Sequence, residues 1–107
     1  MSSQTVFPIK YATSNILIPF DYISQLLTGE DVVSAAVTAV VITGTDPTPS
    51  TIVSGSVTID GTEVLQVIIG GVAGVIYNLT CSATTDLGNI LIMQGKLAVV
   101  SADPLLS

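Results

Sequence analysis

Between residues 75 and 85 the chain alternates strictly. Tyr77, Leu79, Cys81 and Ala83 fall in one phase, and Asn78, Thr80, Ser82 and Thr84 in the other. A period of two marks a half-buried strand. It places Cys81 on the core face, where a lone thiol behaves as a small hydrophobe. Val32 to Thr43 repeats the pattern, with Val33, Ala35, Val37, Ala39 and Val41 set against Ser34 and Thr38. Two further apolar runs, Ile52 to Ile59 and Glu63 to Ile69, flank Asp60-Gly61-Thr62. An Asp-Gly pair in that position predicts a hairpin, because glycine accepts the positive φ of the tight turn. Ile90 to Val100 is the last long strand. Ile90 and Ile92 share one phase and Leu97 and Val99 the other, so a bulge at Gly95 is expected to reset the register. Asn15 to Pro19 is a short first strand, with Pro19 suited to an edge or an end.

Two segments interrupt this pattern. Asp21 is placed to cap a short helical turn near residues 21–28, in which Ile23, Leu26 and Leu27 share a face and Gly29 stops the chain. Gly44 to Thr51 is a polar connection whose prolines oppose both helix and ladder pairing.

Val, Ile and Thr together supply 39 of 107 residues, which favours a pleated sheet over helices. Charged residues are only 9% of the chain against 49% apolar, so Thr and Ser must cover much of the surface. The net charge is −6 and the only cations are Lys10 and Lys96. Without clustered Lys or Arg, neither nucleic acid nor an anionic membrane is expected as a partner, the membrane being disfavoured for the same reason. No secretory signal is visible. The most apolar stretch, Val64 to Leu79, is too short and glycine-rich for a membrane span.

Catalytic chemistry is nearly absent. With no histidine, the commonest general base and zinc ligand is missing, and Cys81 and the serines lack their usual activating partner. The carboxylates lie mostly beside Gly or Pro, and Glu30-Asp31 reads as a solvated turn without calcium-loop spacing. The chain is expected to be no enzyme, and no cofactor or metal is expected.

About seven short strands joined by regular turns predict an all-β fold, an immunoglobulin-like β-sandwich. Gly70, Gly71 and Gly74 lead into Tyr77 at the start of a strand, which suggests a tyrosine corner. There the ring packs inward and the hydroxyl bonds back to corner backbone. These residues support the fold and not chemistry. The expected partition is an extended N-terminal arm over 1–13, the sandwich over 14–101 and a C-terminal tail over 102–107. The arm carries Val6, Phe7, Ile9 and Tyr11, and the tail Leu105 and Leu106. Apolar side chains concentrated at chain ends point to partner contact, with the arm adding to a strand edge of a neighbouring subunit.

Two blocks resemble the phage fiber-tail adaptor proteins, which are small virion structural proteins. The first runs from Ile18 to Ala35: Asp21 followed by aromatic Tyr22, a short amphipathic turn ending at Leu27, then Gly29, acidic Glu30 and a strand containing Ser34. The second has the paired Gly70-Gly71, then Gly74, Tyr77, alternating apolar and Thr residues, and Gly88. The chain departs from the family pattern at Tyr22 and Leu26, where tryptophans are usual, and at Asn89, where a basic residue is common. The resemblance implies a structural protein of the virion, assembled in the host cytoplasm. It implies an adaptor at the tail or neck that holds fibres or spikes through contacts with other virion proteins, as a homo-oligomer in a symmetric assembly. A capsid decoration protein, with contacts to the capsid, is the alternative. A carbohydrate-binding module is disfavoured by the absence of Trp and the scarcity of aromatics.

Overall fold

A computed structural model describes residues 5–6 by backbone and residues 9–101 in full. The strands are β1 (Thr5–Val6), β2 (Lys10–Tyr11), β3 (Ile16–Asp21), β4 (Val32–Thr43), β5 (Val53–Asp60), β6 (Glu63–Ile68), β7 (Ile76–Thr85) and β8 (Ile90–Val100). They form two sheets. One has the order β8-β7-β4, with β1 and then β2 running parallel to β8 along its outer edge. The other is β3-β6-β5, antiparallel throughout. Counting the two edge pieces as one strand gives seven, and the crossovers between sheets are those of an immunoglobulin-like sandwich.

The alternation in the sequence sets the two faces, except at Val33: the register shifts between Val32 and Ser34, so Val32 is buried and Val33, expected inward, is 56% exposed. Val37, Cys81 and Met93 lie side by side across β4, β7 and β8, and so do Val41, Tyr77 and Leu97. These inward rows pack on Ile18, Phe20, Val64 and Ile68 of the second sheet. The outward rows carry hydroxyls and amides in place of charge. Thr38, Thr80 and Gln94 are neighbours there, with Gln94 Nε2 donating to Thr80 Oγ1 at 3.3 Å. Tyr22 continues the inward phase beyond β3 and is fully buried. Its hydroxyl crosses to the other sheet and donates to the Cys81 carbonyl at 2.9 Å. Tyr22 therefore supplies both an apolar ring and a polar tether.

Four local expectations need correction. The segment after Asp21 makes a single turn and no helix. Asp21 Oδ1 does accept the Ile23 N–H at 2.9 Å, and Leu26 N–H bonds the Tyr22 carbonyl at 3.1 Å. Tyr22 is held by the core and by the Thr62 carbonyl, so the chain cannot wind on, and one turn alone does not repay helix nucleation. Only Leu26 then packs inward, while Ile23 and Leu27 stay exposed. Second, Gly95 carries no bulge. The β7–β8 register runs unbroken from Ile90 to Ala98, and the strand simply keeps its phase. Ile90 and Ile92 therefore face solvent, at 65% and 51% exposure. Third, Pro49 opens a 3₁₀ turn (Pro49–Ile52) within the polar connection, since its missing N–H costs nothing at a first turn. Fourth, Glu30 is buried rather than solvated.

Buried Gln66 shows how the sandwich tolerates an irregular edge. β5 breaks register between Ser54 and Thr58. Gln66 Nε2 donates to the Ser54 and Val67 carbonyls at 2.8 and 3.0 Å. The amide occupies an inward position where the pattern calls for an apolar residue, and it satisfies a carbonyl beside the bulge.

Candidate functional site

The two ends of the sandwich are built differently. At one end lie the 44–52 connection, the 69–75 corner and the N-terminal strands. Here the backbone is laced together. Gly74 N–H donates to the Val99 carbonyl at 2.8 Å, and Val99 N–H to the Val75 carbonyl at 3.0 Å. The fully buried Tyr77 hydroxyl accepts the Val72 N–H at 2.9 Å and donates to Asp46 Oδ2 at 2.7 Å. That hydrogen bond holds the Asp46 carboxyl below its usual range, while burial first and Asp46 second raise the Tyr77 pKa. Gly71 sits so close to Val99 that an added Cβ would lie 3.0 Å from its Cγ2. Gly70 offers its carbonyl to Lys10 Nζ at 2.7 Å.

Lys10 is the least expected residue of this end. The sequence marks it only as one of two cations, yet it is 1% exposed. Its ammonium bonds two carbonyls, those of Gly70 and Tyr11 (2.8 Å), and burial lowers its pKa. The stem and the two bonds fix β2 onto the corner. Position 10 gave only one local signal, a lysine among apolar neighbours, and the acceptor lies 60 residues away.

The arm was expected to lie on a neighbouring subunit. Its described pieces pair instead with β8 of the same chain, where Thr5 opposes Gly95 and Tyr11 opposes Val100. Ile9 and Tyr11 remain 64% and 47% exposed along that edge. Phe7, Leu105 and Leu106, and the side chain of Val6, lie outside the described residues.

The opposite end is made by the 22–31 segment, the β5–β6 hairpin and the β7–β8 hairpin. It is organised around Glu30. Its Oε1 accepts the Leu27 N–H at 3.0 Å, and its Oε2 accepts the Thr85 hydroxyl at 2.5 Å and Asn89 Nδ2 at 2.8 Å. These bonds hold the carboxyl below its ordinary pKa, Leu27 contributing most and burial opposing. Thr85 Oγ1 also accepts the Leu87 and Asn89 N–H groups at 3.3 and 3.2 Å. Asp31 and Asp86 complete the tie: Asp31 N–H donates to Asp86 Oδ1 at 3.1 Å, and Asp86 N–H to the Asp31 carbonyl at 2.9 Å. Two loops that are 55 residues apart in sequence become one rigid surface.

This end also gathers charge. Asp21 opposes Glu63 across β3 and β6, and Glu63 opposes Asp60 across β6 and β5. With Glu30, Asp31 and Asp86, six of the eight carboxylates of the chain lie at this pole, and neither lysine does. Among the described residues no three acidic, Cys or His groups are placed to share a metal ion.

Little here suits bond chemistry. Cys81 is buried and its thiol is pushed up by that burial. A cleft of about 280 Å³ opens between β4 and β5, but its walls, including Ala35, Val37, Gly55 and Gln66, hold no titratable group.

No curated protein matches the chain. The family described as "Podophage GP4 fiber-tail adaptor protein gp77" matches residues 10–98, from the buried Lys10 through the glycine-rich corner to Ala98 within β8. That span holds β2 to β7, most of β8 and the acidic pole, and the chain belongs to this family of phage fiber-tail adaptors.

Proposed function

We propose that this protein is a structural adaptor of the virion that joins fibres or spikes to the tail through protein–protein contacts, in several symmetric copies. The observation that carries the reading is the family match over nearly the whole folded chain. The surfaces agree with it. A Thr-rich, nearly uncharged sheet face and exposed Ile9 and Tyr11 beside β8 suit packing against protein rather than nucleic acid. Modest contacts repeated around a symmetric ring add through avidity, so each copy needs only a small patch. The arm-side residues, Ile9 and Tyr11 with Val6, Phe7, Leu105 and Leu106, are the contacts we assign to the tail. Assembly in the host cytoplasm belongs to the same reading.

Quantitative mass spectrometry of purified particles against the major capsid protein tests it. A ring's worth of copies, lost in an Ile9→Asp/Tyr11→Asp variant that still folds, supports the adaptor. Copy numbers approaching those of the capsid protein would make it a decoration protein. Absence from particles would remove it from the virion.

A further inference from the structure

An adaptor needs two contact surfaces, and the arm side supplies one. The acidic pole has the features of a second. Ile23, Leu27, Leu87 and Ile90 project there at 62, 63, 59 and 65% exposure. Leu27 and Leu87 belong to the two segments that Glu30, Thr85 and Asn89 tie together, and Ile90 pairs with Thr84 at the foot of the same hairpin. The aliphatic side chains thus stand on a pre-ordered base, which lowers the entropy cost of docking. Exposed aliphatics gathered on rigid loops are a mark of contact surfaces.

The rim states the chemistry of the occupant. Asp31, Asp60 and Asp86 are exposed at the same end of the sandwich as these aliphatics, and neither lysine lies there. Lys96 lies six residues along β8 from Ile90, roughly 20 Å away at strand spacing. Asp21, Glu63 and Asp60 stand in one cross-strand row, an arrangement of like charges that disfavours the free domain. A cationic partner relieves that repulsion, whereas a second copy presenting the same pole adds to it.

We infer that this pole docks onto an apolar surface rimmed by Lys or Arg on a different tail protein. The inference rests on the adaptor reading and names a second surface for it. From Ile90 to Val100 the straight β8 spans roughly 33 Å, which sets the two contacts at opposite ends of one rigid body.

The test uses phage carrying Asp60→Lys/Leu87→Lys/Ile90→Lys, with Leu17→Lys/Val67→Lys as a control on the exposed outer face of β3 and β6. Thermal unfolding of each purified variant checks that it folds. If wild-type adaptor is absent from particles, the adaptor reading fails and the pole is not at issue. If it is present, the pole variant should reduce either adaptor or fibre content per particle by about tenfold or more, and the control should not. Suppressors of the pole variant should arise as Lys or Arg to acidic changes in one other tail protein. Normal particles from a folded pole variant overturn the inference, as does an equal loss in the control. Suppressors confined to the adaptor itself also overturn it.

Discussion

The laced corner and the acidic pole are both ends of the same sandwich, closed by the same kinds of turn, yet they use polar groups in opposite ways. At the corner, polarity is spent inward. Tyr77 with Asp46, and Lys10 with the Gly70 carbonyl, turn polar side chains toward the fold, and Ile9 and Tyr11 are the large apolar side chains left exposed beside them. At the pole buried Glu30 and Thr85 are consumed that way, and with Asp21 and Asp86 each accepting a backbone N–H they order the loops while carboxylates and aliphatics stay exposed. An interaction surface therefore needs its own buried polar group. The group satisfies the loop backbone, and the remaining side chains are free to serve a partner.

The largest effect that separates the two ends should come from glycine replacement. Gly44 has φ +98°, and an added Cβ would lie 2.9 Å from Val75 Cγ2 and 3.2 Å from Val75 Cα. Gly44→Ala should cost roughly 2–4 kcal/mol, the sum of a left-handed residue and an overpacked core. Gly88 at the pole has φ +84° but open space around it, so Gly88→Ala should cost only about 1–2 kcal/mol. Denaturant unfolding of the pair measures the difference, and equal losses would break the contrast between a packed and an open end.

Tyr77→Phe removes the hydroxyl and keeps the ring. It leaves the Val72 N–H and Asp46 without their partner and should cost about 1–3 kcal/mol. A neutral result in chemical denaturation would mean that water replaces the hydroxyl and that the corner is not closed by it.

Acid should act on both ends. Glu30 and Asp46 have folded pKa values below their unfolded values, so the stabilisation they give is fully present above the unfolded carboxyl range of about 4. It is lost as pH falls through the depressed folded values. Glu30→Gln should flatten that acid limb in thermal unfolding scans from neutral pH downward. An unchanged limb would assign the acid sensitivity to Asp46 and the corner alone.

The smallest effect on stability belongs to the pole surface. Leu87→Ser and Ile90→Ser should each change unfolding free energy by no more than about 0.5 kcal/mol, because neither side chain is buried. A loss well above that would show the aliphatics serving the fold.

Period-two alternation identified two of the three core strands of the larger sheet and gave the right phase over 75–85 and from Ala35 to Val41, because each has one buried face along most of its length. It failed at Val33, where a register shift turns the side chain out to 56% exposure and buries Val32 in its place. The Asp60-Gly61 hairpin was equally legible, with Gly61 at φ +62°. β8 misled for a reason of the same physics. Its isoleucines lie at a solvent-facing end, so the apolar pattern records two surfaces, a core and a patch, and a bulge was invoked to merge them. The glycine pattern at 70–74 pointed to Tyr77, whereas nothing pointed to Lys10, Glu30 or Gln66 as buried.

The sequence by itself determined the strands, the turns and the near absence of catalytic groups. These depend on local stereochemistry and on residue types, which a linear pattern carries. Only the tertiary structure decided that Lys10 is inside, that Glu30 organises two loops, and that six carboxylates share one pole. Each of these results needs residues distant in the chain to meet: 60 positions for Lys10 and Gly70, and 55 for Glu30 and Thr85. Contacts at that separation are set by how two sheets cross over, and no short-range pattern encodes that.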